Sequence, residues 1–513
     1  MSEKMMKMKR PKPSPKVLGR VLKLLFSYYP VLVPVVIVCI LISAVTAAMP
    51  AIFMQQVFEV ITDWQTAGGT WEMAKNDVVQ KVVLLGSFYL LSWIAIILQT
   101  QLMAVITQGF LCKLRRTLFD KMQNLPIRYF DTNKHGDIMS HYTNDIDALR
   151  ELVSQALPSL LNSVVILVSV FFVMLYFSIW MTLVLLVGVV AMVFVSKKIG
   201  GGSAKYFIRQ QRAMGKTEGF VQEMMNGQKV IKVFCHEDES EADFDKINTE
   251  LFEDSARAHA YANTLGPIIG NIGNILYVIM AVAGGLFCLS GQSFANLSLF
   301  GTFPLFNITI IVPFLNMAKQ FTGNVNQASQ QINAVVMGMA GASRLFKLMD
   351  EEPEVDDGYV TLVHAAEDEN GNTVESAVRT GKWAWRHPHQ ADGTVTYTPL
   401  RGHVLLDSVD FAYEEGKQVL YDVSVYAEPG QKVAFVGATG AGKTTITNLI
   451  NRYYDIADGK IRYDGININK IKKDDLRRSL GVVLQETNLF TGTVMDNIRY
   501  CRLDATDEEY IIE

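Results

Sequence analysis

The chain has 513 residues, of which 50% are hydrophobic and 19% charged, with a formal net charge of −4. That length holds several domains, and the near-neutral charge gives no sign of a nucleic-acid partner. The apolar residues fall in blocks rather than evenly, which excludes a single large soluble core. Five scattered cysteines without metal-ligand spacing (Cys39, Cys112, Cys235, Cys288, Cys501) read as unpaired thiols.

Residues 1–30 form a basic N-terminal segment, with Lys4, Lys7, Lys9, Arg10, Lys12, Lys16, Arg20 and Lys23 against Glu3. The apolar run that follows is too long for the core of a cleaved signal peptide. A membrane-crossing helix needs about 20 apolar residues. Residues 24–58, 82–112, 152–196 and 258–318 contain no Asp, Glu, Lys or Arg. The two longest blocks each hold a pair of helices, broken near 177–180 and at the polar stretch 290–298. Six spans are predicted: 31–53, 82–106, 157–177, 180–197, 266–289 and 298–318.

Basic residues mark the cytoplasmic side. Lys113, Arg115, Arg116, Lys121, Arg128 and Lys134 follow the second span, and Lys197, Lys198, Lys205, Arg209, Arg212 and Lys216 follow the fourth. The N-terminus and everything after the sixth span are therefore expected in the cytoplasm, in a multi-pass protein of the cell membrane. Residues 107–156, 198–264 and 319–349 read as helical extensions that carry the spans beyond the bilayer at about 1.5 Å per residue. The spans hold almost no ionisable residue, which argues against an ion pump and for an apolar or amphipathic cargo. Gln99, Gln101, Asn271, Asn274, Asn307 and Asn316 either line a cavity or bond helix to helix. Met103, Met174, Met181, Met192, Met280 and Met317 suit an adaptable surface, a lipid face or packing.

Residues 351–403 form a polar linker or insert. His387 and His389 lack the further ligands that a metal site needs, so the segment reads as a surface hairpin or partner contact.

Residues 437–445 carry the chemistry. Gly437, Ala438, Thr439, Gly440, Ala441, Gly442, Lys443, Thr444 and Thr445 match the phosphate-loop pattern, between a strand-like run at 432–436 and a helix-like run at 446–450. Glycines let successive N–H groups point at phosphate oxygens, and the helix N-terminus adds its positive end. Lys443 is expected at the β- and γ-phosphates, and the Thr444 hydroxyl on Mg²⁺. ATP and Mg²⁺ are the cofactors implied.

On these residues the chain resembles the ATP-binding cassette (ABC) exporters, as a half-transporter. The resemblance covers nearly the whole chain. Residues 409–413 resemble the family's aromatic loop, which implies that Tyr413 stacks on adenine. Residues 481–490 resemble its glutamine loop, which implies that Gln485 contacts Mg²⁺ and the attacking water as a catalytic residue. Residues 129–140 and 215–227 resemble the two coupling-helix regions, and 341–350 the end of the last membrane helix.

The implied fold is a multi-domain membrane protein. A six-helix all-α transmembrane domain (31–350) with long cytoplasmic helical extensions is fused to an α/β phosphate-loop ATPase domain (404–513). No Leu-Ser-Gly-Gly-Gln signature, Walker B carboxylates or switch histidine follows Gln485, so the ATPase domain is expected to be C-terminally incomplete and inactive alone. The implied activity is ATP-driven export of hydrophobic or amphipathic drugs, lipids or peptides by a homo- or heterodimer through alternating access. Import on the same scaffold, a non-transporting membrane ATPase such as a sensor or gated channel, and a non-catalytic partner subunit are the alternatives.

Overall fold

The computed structural model describes residues 15–66, 71–289, 296–299, 301, 303, 305–389, 392–414, 416–456, 458–484, 489–501 and 506. In chain order the helices are α1 (Pro15–Tyr28), α2 (Leu32–Thr46), α3 (Met49–Thr66), α4 (Trp71–Gln123), α5 (Ile127–Thr132), α6 (His135–Ser140), α7 (Ile146–Glu151), α8 (Leu157–Phe177), α9 (Ile179–Asn226), α10 (Gln228–Phe234), α11 (Glu237–Leu289) and α12 (Ile308–Asp350). Strands β1 (Thr361–Glu367), β2 (Thr373–Glu375), β3 (Trp383–Pro388), β4 (Val395–Pro399), β5 (Val404–Glu414) and β6 (Lys417–Ala427) follow. Then come α13 (Lys443–Ile450), β7 (Asp458–Tyr463), β8 (Ile466–Asn467), α14 (Lys473–Ser479) and α15 (Val494–Ile498). The chain divides into two units: residues 1–120 with 136–350, and residues 121–135 with 351–513.

The first unit is helical. Among the described residues, four helical stretches are long and apolar enough to cross a membrane: Leu32–Thr66, Ala74–Gln123, His135–Phe177 and Glu237–Leu289. A shorter apolar helix covers Ile179–Val195. Each interruption has a local cause. Pro50 has no N–H for the carbonyl of Thr46, and its ring crowds that carbonyl, so α2 ends there and α3 restarts. The break near 177–180 falls on Ser178, which is extended (φ −161°, ψ 122°) and accepts the Met181 N–H on Oγ at 3.3 Å.

The expected span at 298–318 differs from the structure, because helix begins only at Ile308. The preceding segment pairs with the α8–α9 turn instead. Ile179 N–H donates to Leu297 O at 2.7 Å, Leu299 N–H to Leu175 O at 3.1 Å, and Asn296 Nδ2 to Phe177 O at 2.9 Å. Asn307 then takes the Ile308 N–H on its side-chain oxygen at 2.6 Å and starts α12.

The core of this unit joins α8, α9, α11 and α12 through Val170, Met174, Phe177, Met181, Leu185, Met280 and Phe314. All six methionines singled out above are buried, so packing is their role; an unbranched thioether fills irregular gaps between helices.

α12 lies against two π-helical turns, His141–Asp145 and Leu152–Ala156. Gly338 permits the approach, since a Cβ there would sit 2.4 Å from the Leu152 Cβ. The contact carries a buried carboxylate, Asp145, only 1% exposed at its side chain. Arg344 holds it with Nε bonds of 2.9 and 3.1 Å and a further Nη2 bond, and His141 Nδ1 lies 2.8 Å away.

The second unit contains two four-stranded antiparallel sheets, β2-β1-β3-β4 and β6-β5-β7-β8. Trp385 on β3 is fully buried in their shared core and meets Tyr463 edge-on at 5.8 Å. Its indole N–H donates to Asp464 Oδ2 at 3.1 Å, and Asp464 also accepts the N–H groups of Arg401 (3.2 Å) and His403 (2.9 Å). The insert is thus bonded into the ATPase core. The rings of His387, on β3, and His389, just after it, have centroids 4.4 Å apart; burial, then the charges of His389 and Lys470, push His387 below its ordinary value.

The run 432–436 is not a strand, a correction to the sequence reading. A strand exists only with a neighbour to bond, and among the described residues this run has none. Val436 is 93% exposed, as is Val483 (98%) in the other apolar run at 481–484.

Two outcomes test this packing. Removing Arg344 leaves a buried carboxylate with His141 alone, so Arg344→Met is expected to cost about 3–5 kcal/mol, as for broken buried pairs. Asp145→Asn leaves an Arg344 whose side chain is 57% exposed, and is expected to cost less. Melting curves of both variants in detergent decide, and equal losses would contradict the asymmetry. The second outcome concerns acid. Burial works to raise Glu354 and Asp455, but bonds from Arg477 and Arg452 outweigh it and hold both carboxyls below their ordinary values of 4.5 and 3.8. Groups depressed on folding contribute stability above the unfolded values and lose it as pH falls through the lower folded ones. Stability followed downward from pH 6 is expected to drop below about pH 4, and to drop less in Glu354→Gln.

Candidate functional site

The phosphate loop is built on β6. Leu420, buried on that strand, lies where a side chain at position 442 would be: a Cβ on Gly442 would stand 2.6 Å from Leu420 Cδ2. Gly442 also has φ +85°, and Gly440 +87°, a region that L side chains rarely adopt. Two independent constraints therefore demand glycine at 442. Ala441 N–H donates to Ala438 O at 3.1 Å and closes the turn.

α13 starts at Lys443, so the N–H groups of Lys443, Thr444 and Thr445 belong to a first helical turn that has no intrahelical acceptors for them. Lys443 Nζ folds over the loop and donates to Gly437 O and Ala438 O, both at 2.8 Å. Thr444 is exposed, and Thr445 is buried beneath it. A curl of glycines, a helix N-terminus, a lysine across the mouth and an exposed hydroxyl next to it fit a polyphosphate with its divalent cation.

Tyr413, expected at adenine, is half-buried and donates from its hydroxyl to Thr445 Oγ1 at 3.1 Å. Its ring meets Phe411 and Tyr454 edge-on, each with centroids 4.9 Å apart. The structure thus brings Tyr413 to the helix that follows the loop. Gln485 lies outside the described residues.

One residue of the site was missed in the sequence. Tyr454 sits between Tyr413 and α5, and donates from its hydroxyl to Asp131 Oδ2 at 2.6 Å. Burial, then the bond to Asp131, pushes its phenol well above the ordinary value. The available signal was the aromatic pair Tyr453-Tyr454 just after the loop helix; its partner, 323 residues away in sequence, was not deducible.

Comparison with known proteins agrees with this geometry. Residues 33–314 match the family described as the ABC transporter transmembrane region, and residues 420–512 match ABC transporter. The chain is 33% identical over 85% of its length to an uncharacterised ABC transporter ATP-binding protein, YfiC, of Bacillus subtilis, and covers 64% of it. It is 31% identical over 83% to a fatty acid ABC transporter ATP-binding/permease protein of Mycobacterium bovis, covering 60%. It is 28% identical over 80% to an ATP-dependent lipid A-core flippase of Syntrophus aciditrophicus, covering 61%. The chain therefore spans about three-fifths of the length of these relatives.

This chain belongs to the ABC transporter family. It is a multi-pass membrane protein whose mostly helical N-terminal region precedes a sheet-containing ATP-binding region.

The steric argument at Gly442 has a direct check. Gly442→Ala is expected to weaken nucleotide binding and to lower stability by roughly 1–3 kcal/mol, the usual cost of a non-glycine residue at a strained backbone position. Adding Leu420→Ala is expected to relieve the overlap but not the backbone strain, so nucleotide affinity should return only in part. Full recovery, read by a fluorescent ATP analogue, would assign the whole effect to Leu420.

Proposed function

We propose that this chain is the membrane-plus-ATPase subunit of a dimeric exporter that moves lipidic or amphipathic cargo at the expense of ATP. The observation that carries the reading is the glycine-built, lysine-capped loop at 437–445 in the same chain as long apolar helices. The proposed organisation keeps six spans within 31–350, an insert at 351–403 and the ATPase domain from 404, with the N-terminus and ATPase domain cytoplasmic. Basic residues in the inner connections support that orientation.

Residues 437–445 would hold substrate ATP through N–H groups and Lys443, with Tyr413 at the adenine. Thr444 and Gln485 would hold Mg²⁺, which would offset phosphate charge, and Gln485 would position the attacking water. Closure of two such subunits over nucleotide, with alternating access of the membrane helices, is the proposed cycle. The near-absence of charge in the spans and the relatives named for fatty acid transport and lipid A-core flipping support a lipidic cargo. A cleft of about 360 Å³ lined by Gln99, Thr100, Met103, Gln155 and Asn162 offers apolar walls with neutral hydrogen-bonding groups.

The test has two stages. MgATP-analogue binding to the chain in detergent is expected to weaken about 10- to 100-fold in Lys443→Ala, the loss of a hydrogen bond to a charged group. In Thr444→Ala, binding should lose its dependence on Mg²⁺. The full-length protein in vesicles is then expected to move a fluorescent fatty acid or lipid analogue when ATP is added. Nucleotide-dependent conductance without cargo movement would favour the gated-channel alternative.

A further inference from the structure

Outside the phosphate loop, the densest set of charged contacts among the described residues lies among Glu354, Asp356, Arg452, Asp455, Lys473 and Arg477. Two of its cations are buried: Arg452 is 4% exposed and Lys473 5%. Three anions face three cations, so the cluster is neutral.

Glu354 stands at its centre, on the segment that leaves α12. Its carboxylate takes a two-pronged bond from Arg477, Nη1 to Oε2 at 2.9 Å and Nη2 to Oε1 at 2.6 Å. Its backbone N–H donates to Asn124 O at 2.8 Å, in the segment that leads into α5. Arg477, on α14, simultaneously donates to Asn451 O (3.3 Å) and Arg452 O (3.1 Å), the carbonyls of the two residues that follow α13. Lys473 divides its ammonium between Glu354 (3.3 Å) and Asp455 (3.2 Å), and Asp455 accepts from Arg452 Nε at 2.9 Å.

An unbroken set of contacts no longer than 3.3 Å thus runs from the end of the phosphate-loop helix, through Arg477 and Glu354, to residue 124. α14 leads directly into the run 480–484 that precedes Gln485. Stability alone is a poor reason for such a cluster, since buried ion pairs are often matched by apolar residues of the same volume. A two-pronged guanidinium–carboxylate bond instead fixes geometry, because both planes must align.

We propose that Glu354 is a positioning residue that makes α13, α14 and the 121–135 segment respond together when nucleotide occupies the phosphate loop. This rests on the nucleotide reading given above. Displacement of α13 moves the Asn451 and Arg452 carbonyls at its end and with them Arg477, Arg477 carries the Glu354 carboxylate, and the Glu354 N–H carries residue 124. Glu354 itself does not touch the nucleotide.

Hydrogen exchange on the whole chain in lipid nanodiscs, with and without the fluorescent analogue TNP-ATP and Mg²⁺, tests the proposal. In the wild-type chain, nucleotide is expected to slow exchange in both 473–480 and 121–135. Glu354→Gln keeps the shape and removes the charge. Its affinity for TNP-ATP is expected to stay within about twofold, because the substitution shares no partner with the loop. The response at 121–135 is expected to vanish while that at 473–480 persists.

Arg477→Lys, which keeps the charge but cannot make the two-pronged bond to Glu354, is expected to lose most of the response at 121–135. If Glu354→Gln does not fold, this variant decides: a lost response supports the proposal and a wild-type response overturns it. A wild-type response at 121–135 in folded Glu354→Gln overturns it too. Failure of the wild-type chain to bind TNP-ATP at all would instead sink the nucleotide reading.

Discussion

A backbone amide in apolar surroundings must bond to something, and that constraint shapes the membrane unit. Helices satisfy it internally, which is why long apolar blocks become rods. The informative places are where a rod stops. At Ser178 a hydroxyl takes over the Met181 amide, and at Asn307 a carboxamide takes over that of Ile308. The segment 296–299 is not helical, yet it bonds its backbone to Leu175 and Ile179. Polar side chains in this unit therefore work largely as backbone substitutes. This explains how spans without ionisable residues still tolerate a proline break at Pro50 and an extended residue at 178.

The phosphate loop obeys the opposite economy. There the amides of a first helical turn have no intrahelical acceptors, and the loop before them closes on itself through the bond from Ala441 N–H to Ala438 O. Such a curl needs left-handed backbone at Gly440 and Gly442, and Leu420 beneath leaves no room for a side chain. Lys443 meanwhile bonds to the carbonyls of Gly437 and Ala438, so the cation is held at the mouth by the same loop it serves. Rigidity comes from β6 below and α13 behind, and the loop adds only the curvature.

Features coded by local pattern were legible in the sequence. The apolar blocks, the break at 178 and the phosphate loop each depend on residues within a few positions of one another. The start of α12 was not legible, because residues 298–307 are apolar enough to continue a helix and are diverted by bonds to the turn at 175–179, over a hundred residues away. The strand expected at 432–436 was misjudged for a related reason: a short apolar run suits a strand but says nothing about whether a neighbour is there to bond. The insert at 351–403 reads in the sequence as a surface hairpin or partner contact, and its bond from Trp385 to Asp464, 79 positions apart, could not be read there. The Glu354 cluster joins residues up to 123 positions apart, and no periodicity announces a pair of opposite charges at that distance.

Under the exporter reading, the disposition of polar groups also bears on what the membrane unit can recognise. Asn271 bonds to the carbonyl of Pro267, Asn307 to the Ile308 amide and Asn316 to the Met54 sulfur. These carboxamides are committed to the protein itself. Gln99, Gln155 and Asn162 line a common cleft beside Met103. A cleft of that kind carries donors and acceptors but no counter-charge, so burying an ionised headgroup there would leave the charge unpaired at a cost of several kcal/mol. Selectivity would then favour amphipaths that bring hydrogen-bonding groups but neutralise or shield their charge before entry. An acyl chain with a protonated or zwitterionic head satisfies that condition, and a bare inorganic ion does not.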